Sequence, residues 1–178
     1  QVEFVSANPT GDLHLGHARG AAIGDCICRL YKKVGYEVCR EYYVNDAGVQ
    51  ILKLSQSIYA RYQQALGLDV TFPEDGYHGR DIIAFANSLK EQYGDTLLDK
   101  PLTYFREIGI EHELDKIRKD LDYFRVHFDV YSHEVMLYEK GWVDEVIPVL
   151  DSKGYIYHQD DAIWFRTTDF GDDKDRVV

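Results

Sequence analysis

Residues 2–44 run in the order strand, tight turn, helix, strand, and that order leaves the chain few ways to fold. Val2 to Ser6 form a short apolar run, too central in character for an exposed edge strand. Asn8-Pro9-Thr10-Gly11-Asp12 is turn chemistry: Pro9 sets φ, Gly11 permits φ > 0, and Asp12 can cap a helix. From Leu15 to Val34 the apolar residues Ile23, Ile27, Leu30 and Val34 step by four, three and four, marking one helical face that stops at Gly35. Tyr36 to Val44 is β-like again. Two strands joined by one helix make a βαβ unit, which predicts a parallel pair with a right-handed crossover.

The pattern then turns helical. Ile51, Leu54, Ile58 and Tyr62 predict a helix over 46–66, followed by a loop over 67–79 and a second helix from Arg80 to Tyr93. Ile110, Leu114, Ile117, Leu121 and Phe124 predict a long amphipathic helix, and Tyr138, Trp142, Val146 and Val149 another over 134–152. Residues 155–157 and 162–166 read as a hairpin around the polar stretch 158–161, and a further strand is expected to begin at 175–178.

The net charge of −11 is unevenly placed. Residues 1–44 balance five Lys/Arg against five Asp/Glu, and residues 45–178 hold the other 15 and 26. An acidic surface there argues against a broad nucleic-acid footprint while leaving room for a local contact. No segment resembles a membrane span or a signal peptide, so a cytoplasmic protein without a membrane partner is expected. Cys26, Cys28 and Cys39 lie inside apolar patterns and read as reduced thiols, ahead of a disulfide or a metal site. The only methionine is Met136, and the chain opens within a strand pattern, as a piece of a longer protein would.

His14-Leu15-Gly16-His17 falls where the first strand hands over to the helix. In open α/β sheets ligands bind beyond the carboxyl ends of the strands, and a helix N-terminus there attracts phosphate. Imidazoles beside it can donate to oxygens that gain charge during nucleotidyl transfer. Gly16 lets a flat ring or a phosphate approach the backbone. The plain alternative is a surface helix bearing two histidines. A zinc site is a weaker reading, because no third ligand stands nearby. His127 and His133 are isolated and read as structural.

The segment 2–51, with "SANPTG", "HLGH" and "YYVNDAG", strongly resembles the arginyl-tRNA synthetases, and "WFRTTDFGDDKDRVV" (164–178) extends the likeness to the end. His14-Leu15-Gly16-His17 matches that class I family's HIGH motif. The resemblance implies an α/β fold: the first half of a Rossmann-like, HIGH-superfamily nucleotide fold over 1–66, a mainly helical insertion over 67–165 ending in a hairpin, and a return to the catalytic domain over 166–178. It implies ATP, accompanied by Mg2+, held by Pro9, Thr10, Gly11, His14, Leu15, Gly16 and His17, with His14 and His17 stabilising the transition state at the α-phosphorus. Arginine would meet Glu3, Ser6, Asn8 and His17. A carboxylate at Glu3 suits a planar cation with five donors, although Glu3 also fits an exposed strand position and Asn8 a plain turn.

No KMSK-like loop occurs in these residues, so the resemblance implies one after Val178, together with an arginine-binding tyrosine and aspartate. Gly11 stands where some relatives lacking that loop carry a lysine. The insertion reads as scaffold with a possible acceptor-stem contact. The expected activity is therefore arginine–tRNA ligation, with arginine, ATP and tRNA(Arg) as partners. The full-length enzyme is expected to be a monomer, and this piece alone to be inactive and prone to self-association. The runner-up is a small-molecule nucleotidyltransferase of the HIGH superfamily. A third reading is a non-catalytic module that binds RNA or protein.

Overall fold

The computed structural model describes all 178 residues and resolves them into two compact units, Gln1–Glu134 and Val135–Val178. The first unit is a mixed α/β body around a three-stranded parallel sheet ordered β1-β2-β3: Val2–Glu3, Arg40–Val44 and Val130–His133. Its helices are α1 (Leu15–Lys33), α2 (Val49–Ala65), α3 (Arg80–Tyr93) and α4 (Leu102–Tyr123). The second unit holds α5 (Val135–Glu139), α6 (Trp142–Ser152) and an antiparallel sheet of β4 (Ile156–Gln159), β5 (Ala162–Phe165) and β6 (Arg176–Val177). Packing therefore divides the chain at 134/135. Within the stretch 67–165, α4 supplies core residues to the sheet.

Two apolar clusters make the core of the first unit. Tyr42 and Val44 of β2 pack with Ala7, Ala21, Ile51 and the α4 row Ile110, Leu114, Ile117, Leu121. Leu54, Ile58 and Tyr62 of α2 meet Ile82, Ala86 and Leu89 of α3 and Phe105 of α4. At Gly109 an added Cβ would lie 2.5 Å from Ile58 Cδ1, so the glycine sets how closely α2 and α4 cross.

Several elements differ from the sequence expectation, each for a local reason. β1 ends at Glu3, because Val5 and Ser6 turn into the left-handed region (φ 68° and 41°). For a β-branched valine this is a costly conformation, found where surrounding contacts over-determine it. The apolar stripe of α1 faces outward: Ile23, Ile27, Leu30 and Val34 are all exposed. The buried face is Ala21, Gly24, Asp25 and Cys28. A Cβ on Gly24 would fall 2.2 Å from the Phe4 ring, so the glycine lets α1 sit this close to the chain just after β1. α4 begins at Leu102 behind Pro101, eight residues before the periodic run at Ile110. The helix expected over 134–152 is a turn at Glu134 followed by two helices, interrupted at Gly141 (φ 70°). The hairpin forms as expected, with Asp160 and Asp161 at φ 51° and 58° supplying the two left-handed positions of its turn.

Candidate active site

The N-terminus of α1 is built from two imidazoles. His14 is the N-cap residue, and its Nδ1 accepts the Gly16 backbone N–H at 3.1 Å. His17 Nδ1 accepts the His14 N–H at 3.2 Å, so the pair forms a reciprocal capping box. Asp12, expected to cap, does not. The rings stack with centroids 3.7 Å apart. Because each Nδ1 accepts a backbone N–H, the protonated nitrogen of each neutral ring is Nε2. Both rings thus hold a donor on the edge away from the backbone, beside the positive end of the helix dipole. Burial and the neighbouring His14 hold the His17 pKa below its ordinary value, which favours the neutral form. Gly16 has a role of its own here: a Cβ would come within 2.9 Å of His14 Cε1. Leu15 is 89% exposed and, with Leu13 and His14, borders an open cavity of about 470 Å3 also lined by Leu121 and Tyr123 of α4 and by Phe124 just after it.

The turn before the helix is held at three points. The buried Tyr42 hydroxyl donates to Ala7 O at 2.8 Å, and burial raises its pKa, keeping it a donor. Asn8 Nδ2 donates to Gln50 Oε1 of α2 at 2.9 Å. Asp12 Oδ1 accepts from Lys116 Nζ of α4 at 2.8 Å. Between them Pro9 is buried, and Thr10 N–H donates to Asn8 O at 2.8 Å. No atom lies within 4 Å of where a Gly11 Cβ would stand.

Glu3 and Ser6 form a separate group. The Ser6 hydroxyl donates to Glu3 Oε1, and Ser6 Oγ accepts the Tyr43 N–H at 3.1 Å. Glu3 pairs in register with Glu41, so two carboxylates stand side by side on one face of the sheet. Glu41 in turn accepts from Ser132 Oγ.

At the carboxyl ends of β2 and β3 lies a group that sequence reasoning passed over. His133 Nδ1 is 2.8 Å from Asp46 Oδ2, and Asp46 is 4% exposed. Asn45, with its amide turned so that Nδ2 donates, reaches Glu134 Oε2 at 3.0 Å. β3 carries no alternation strong enough to mark it, and 87 residues separate the partners, so periodicity had no means of finding the pair.

The first 74 residues match the family model described as tRNA synthetases class I (R), catalytic domain. The arginine–tRNA ligase of Geobacillus kaustophilus is 58% identical over the whole of this chain, and that of Bacillus subtilis 57%. The chain spans 33% of the length of each. Along its full length the chain is similar to arginyl-tRNA synthetases. Among solved structures, a protein assigned as an arginyl-tRNA synthetase from Campylobacter jejuni superposes with a TM-score of 0.85 at 36% identity, over 99% of this chain and 39% of its own. The arginyl-tRNA synthetase of Plasmodium falciparum superposes at 0.69 with 19% identity, over 99% of this chain and 30% of its own, a likeness of fold. No helix is long and apolar enough to cross a membrane.

Proposed function

We propose that this chain is part of an arginine–tRNA ligase, in which it supplies the first half of a Rossmann-like nucleotide fold, with residues 67–165 inserted between the halves. The observation that carries the reading is the imidazole capping box: two neutral rings, each with Nε2–H available, at the N-terminus of the first helix of a parallel sheet. In the reaction a carboxylate oxygen of arginine attacks the α-phosphorus of ATP, pyrophosphate leaves, and the arginyl group then passes to tRNA. Donors held ready for phosphoryl oxygens need no reorganisation as charge builds, so they lower the barrier rather than only binding substrate. Glu3, already oriented by Ser6, is the carboxylate for the guanidinium, and Asn8 takes the α-amino end. Pro9, Thr10, Gly11, Leu15 and Gly16 line the nucleotide. Mg2+ travels with the triphosphate; no group of three His, Cys, Asp or Glu side chains gathers to hold a metal.

The test is His14→Ala and His17→Ala in the complete ligase. Each is expected to slow arginyl-adenylate formation by about 10²–10³ while arginine binding stays within a few-fold, since the lost donor acts on the transition state. Adenylate formation at unsubstituted rates in both variants would refute the assignment.

A further inference from the structure

His133 ends β3 directly beside Val44, the last residue of β2, so it stands at the carboxyl edge of the sheet where α/β folds receive ligands. Its Nδ1 edge faces Asp46 Oδ2 at 2.8 Å. The Asp46 side chain is 6% exposed and the His133 side chain 38%, so a buried carboxylate holds a ring that solvent can still reach. The loop bearing Asp46 is itself fixed: Arg106 Nη2 donates to Asp46 O at 3.0 Å, and the Glu134 N–H donates to Val44 O at 3.0 Å. With Nδ1–H given to Asp46, the neutral ring keeps Nε2 as an acceptor. This is the reverse of His14 and His17, whose acceptor nitrogens are used up by the backbone. The first unit thus holds two kinds of imidazole: two donors at the start of α1, and one acceptor oriented by a carboxylate at the carboxyl edge of the sheet.

The two steps of the proposed reaction differ in what they need. In the first, the nucleophile is a carboxylate, which has no proton to lose. In the second it is a ribose hydroxyl, which does. We propose that His133, oriented by Asp46, is the general base of the second step; this rests on the ligase reading above. The hydroxyl oxygen of the terminal ribose bonds to the arginyl carbonyl carbon, the bond from that carbon to the phosphate oxygen breaks, and AMP leaves with the electron pair. The hydroxyl proton passes to His133 Nε2, and Asp46 balances the imidazolium until the proton is released to water. A positioned carboxylate serves such a base by fixing its tautomer and its direction.

The experiment separates the two steps in the complete ligase, with His133→Ala, His133→Gln and Asp46→Asn. Arginine-dependent exchange of pyrophosphate into ATP reports the first step, and single-turnover transfer from preformed arginyl-adenylate to tRNA reports the second. Exchange is expected to stay within about twofold in all three variants. Transfer is expected to fall by roughly 10²–10⁴ in both His133 variants and measurably in Asp46→Asn. Unchanged transfer in His133→Ala would overturn the proposal. So would an equal fall in both steps, because a merely structural tie between β2 and β3 would damage both. If the unsubstituted protein shows no arginine-dependent exchange, the ligase reading itself fails, and this assignment with it.

Discussion

His14 and His17 each use Nδ1 to finish a helix, which leaves Nε2 as the nitrogen that the proposed chemistry would use. The cap has a pH dependence whose sign follows from the His17 shift. The pKa of His17 is lowered in the folded protein, by burial first and by His14 second. The unfolded chain therefore binds a proton more readily than the folded one in the window below the ordinary value of 6.5. Stability contributed by the neutral ring is present above that value and is lost as pH falls through the lowered pKa. A thermal melt recorded from pH 7.5 down to 5 is expected to show a falling midpoint, and His17→Gln is expected to flatten that slope. An unchanged slope in the variant would place the titration elsewhere. At Gly16 two demands meet: the helix gains from any residue with a side chain, and the His14 ring forbids one.

α1 is a helix whose burial was decided by size rather than by hydrophobicity. Its most apolar side chains point outward, and Gly24 packs tightly over Phe4, the residue after β1. Gly24→Ala should raise helix propensity by up to about 1 kcal/mol. It also forces a methyl group into the Phe4 ring, an overpacking cost of roughly 1–3 kcal/mol. The second effect is the larger, so the variant is expected to unfold at lower urea concentration. A higher midpoint would mean that α1 can lift from the sheet without cost. α4 shows the opposite economy, with one ammonium serving three carboxylates. Lys116 Nζ reaches Asp12 (2.8 Å), Glu113 (2.9 Å) and Asp81 (3.2 Å). Burial opposes its charge, but the hydrogen bonds it donates to Asp12 and Glu113 hold its pKa above the ordinary value. Burial raises the pKa of Glu113, whose side chain is 1% exposed, and Lys116 offsets part of that rise. Lys116→Met would strand that carboxylate and is expected to cost about 3 kcal/mol. Asp12→Asn cuts only the exposed arm and should cost less than about 1 kcal/mol. Urea denaturation of both variants checks the ordering, and equal losses would contradict it.

The whole molecule is two packing units, and the candidate site lies in the first. All of Glu3, Ser6, Asn8, His14, His17, Asp46 and His133 belong to Gln1–Glu134, together with both apolar clusters. Residues 1–134 produced alone are therefore expected to keep native far-UV dichroism and one cooperative transition. Amide exchange is expected to show β2 and α4 protected as in the 178-residue chain, since their partners all lie within the unit. Loss of that protection would show that residues 135–178 are needed to hold the first unit together.

Local pattern alone set out much of this protein. The order strand, turn, helix, strand was legible in residues 2–44, because alternation, turn residues and helical periodicity are properties of near neighbours. The motif His14-Leu15-Gly16-His17 could be placed at a helix start for the same reason, and the hairpin at 156–165 was equally clear. What packing decided was different in kind. Which face of α1 is buried depends on Phe4, twenty residues away, and no periodicity reports that a glycine is needed there. The strand at Val130–His133 exists because β2 offers it a hydrogen-bonding edge, although its own sequence carries a weak signal. Lys116 meets Asp12 and His133 meets Asp46 across separations of about a hundred residues, through contacts that only chain closure can make. The helix cap was written locally, and the acceptor imidazole was made by the fold.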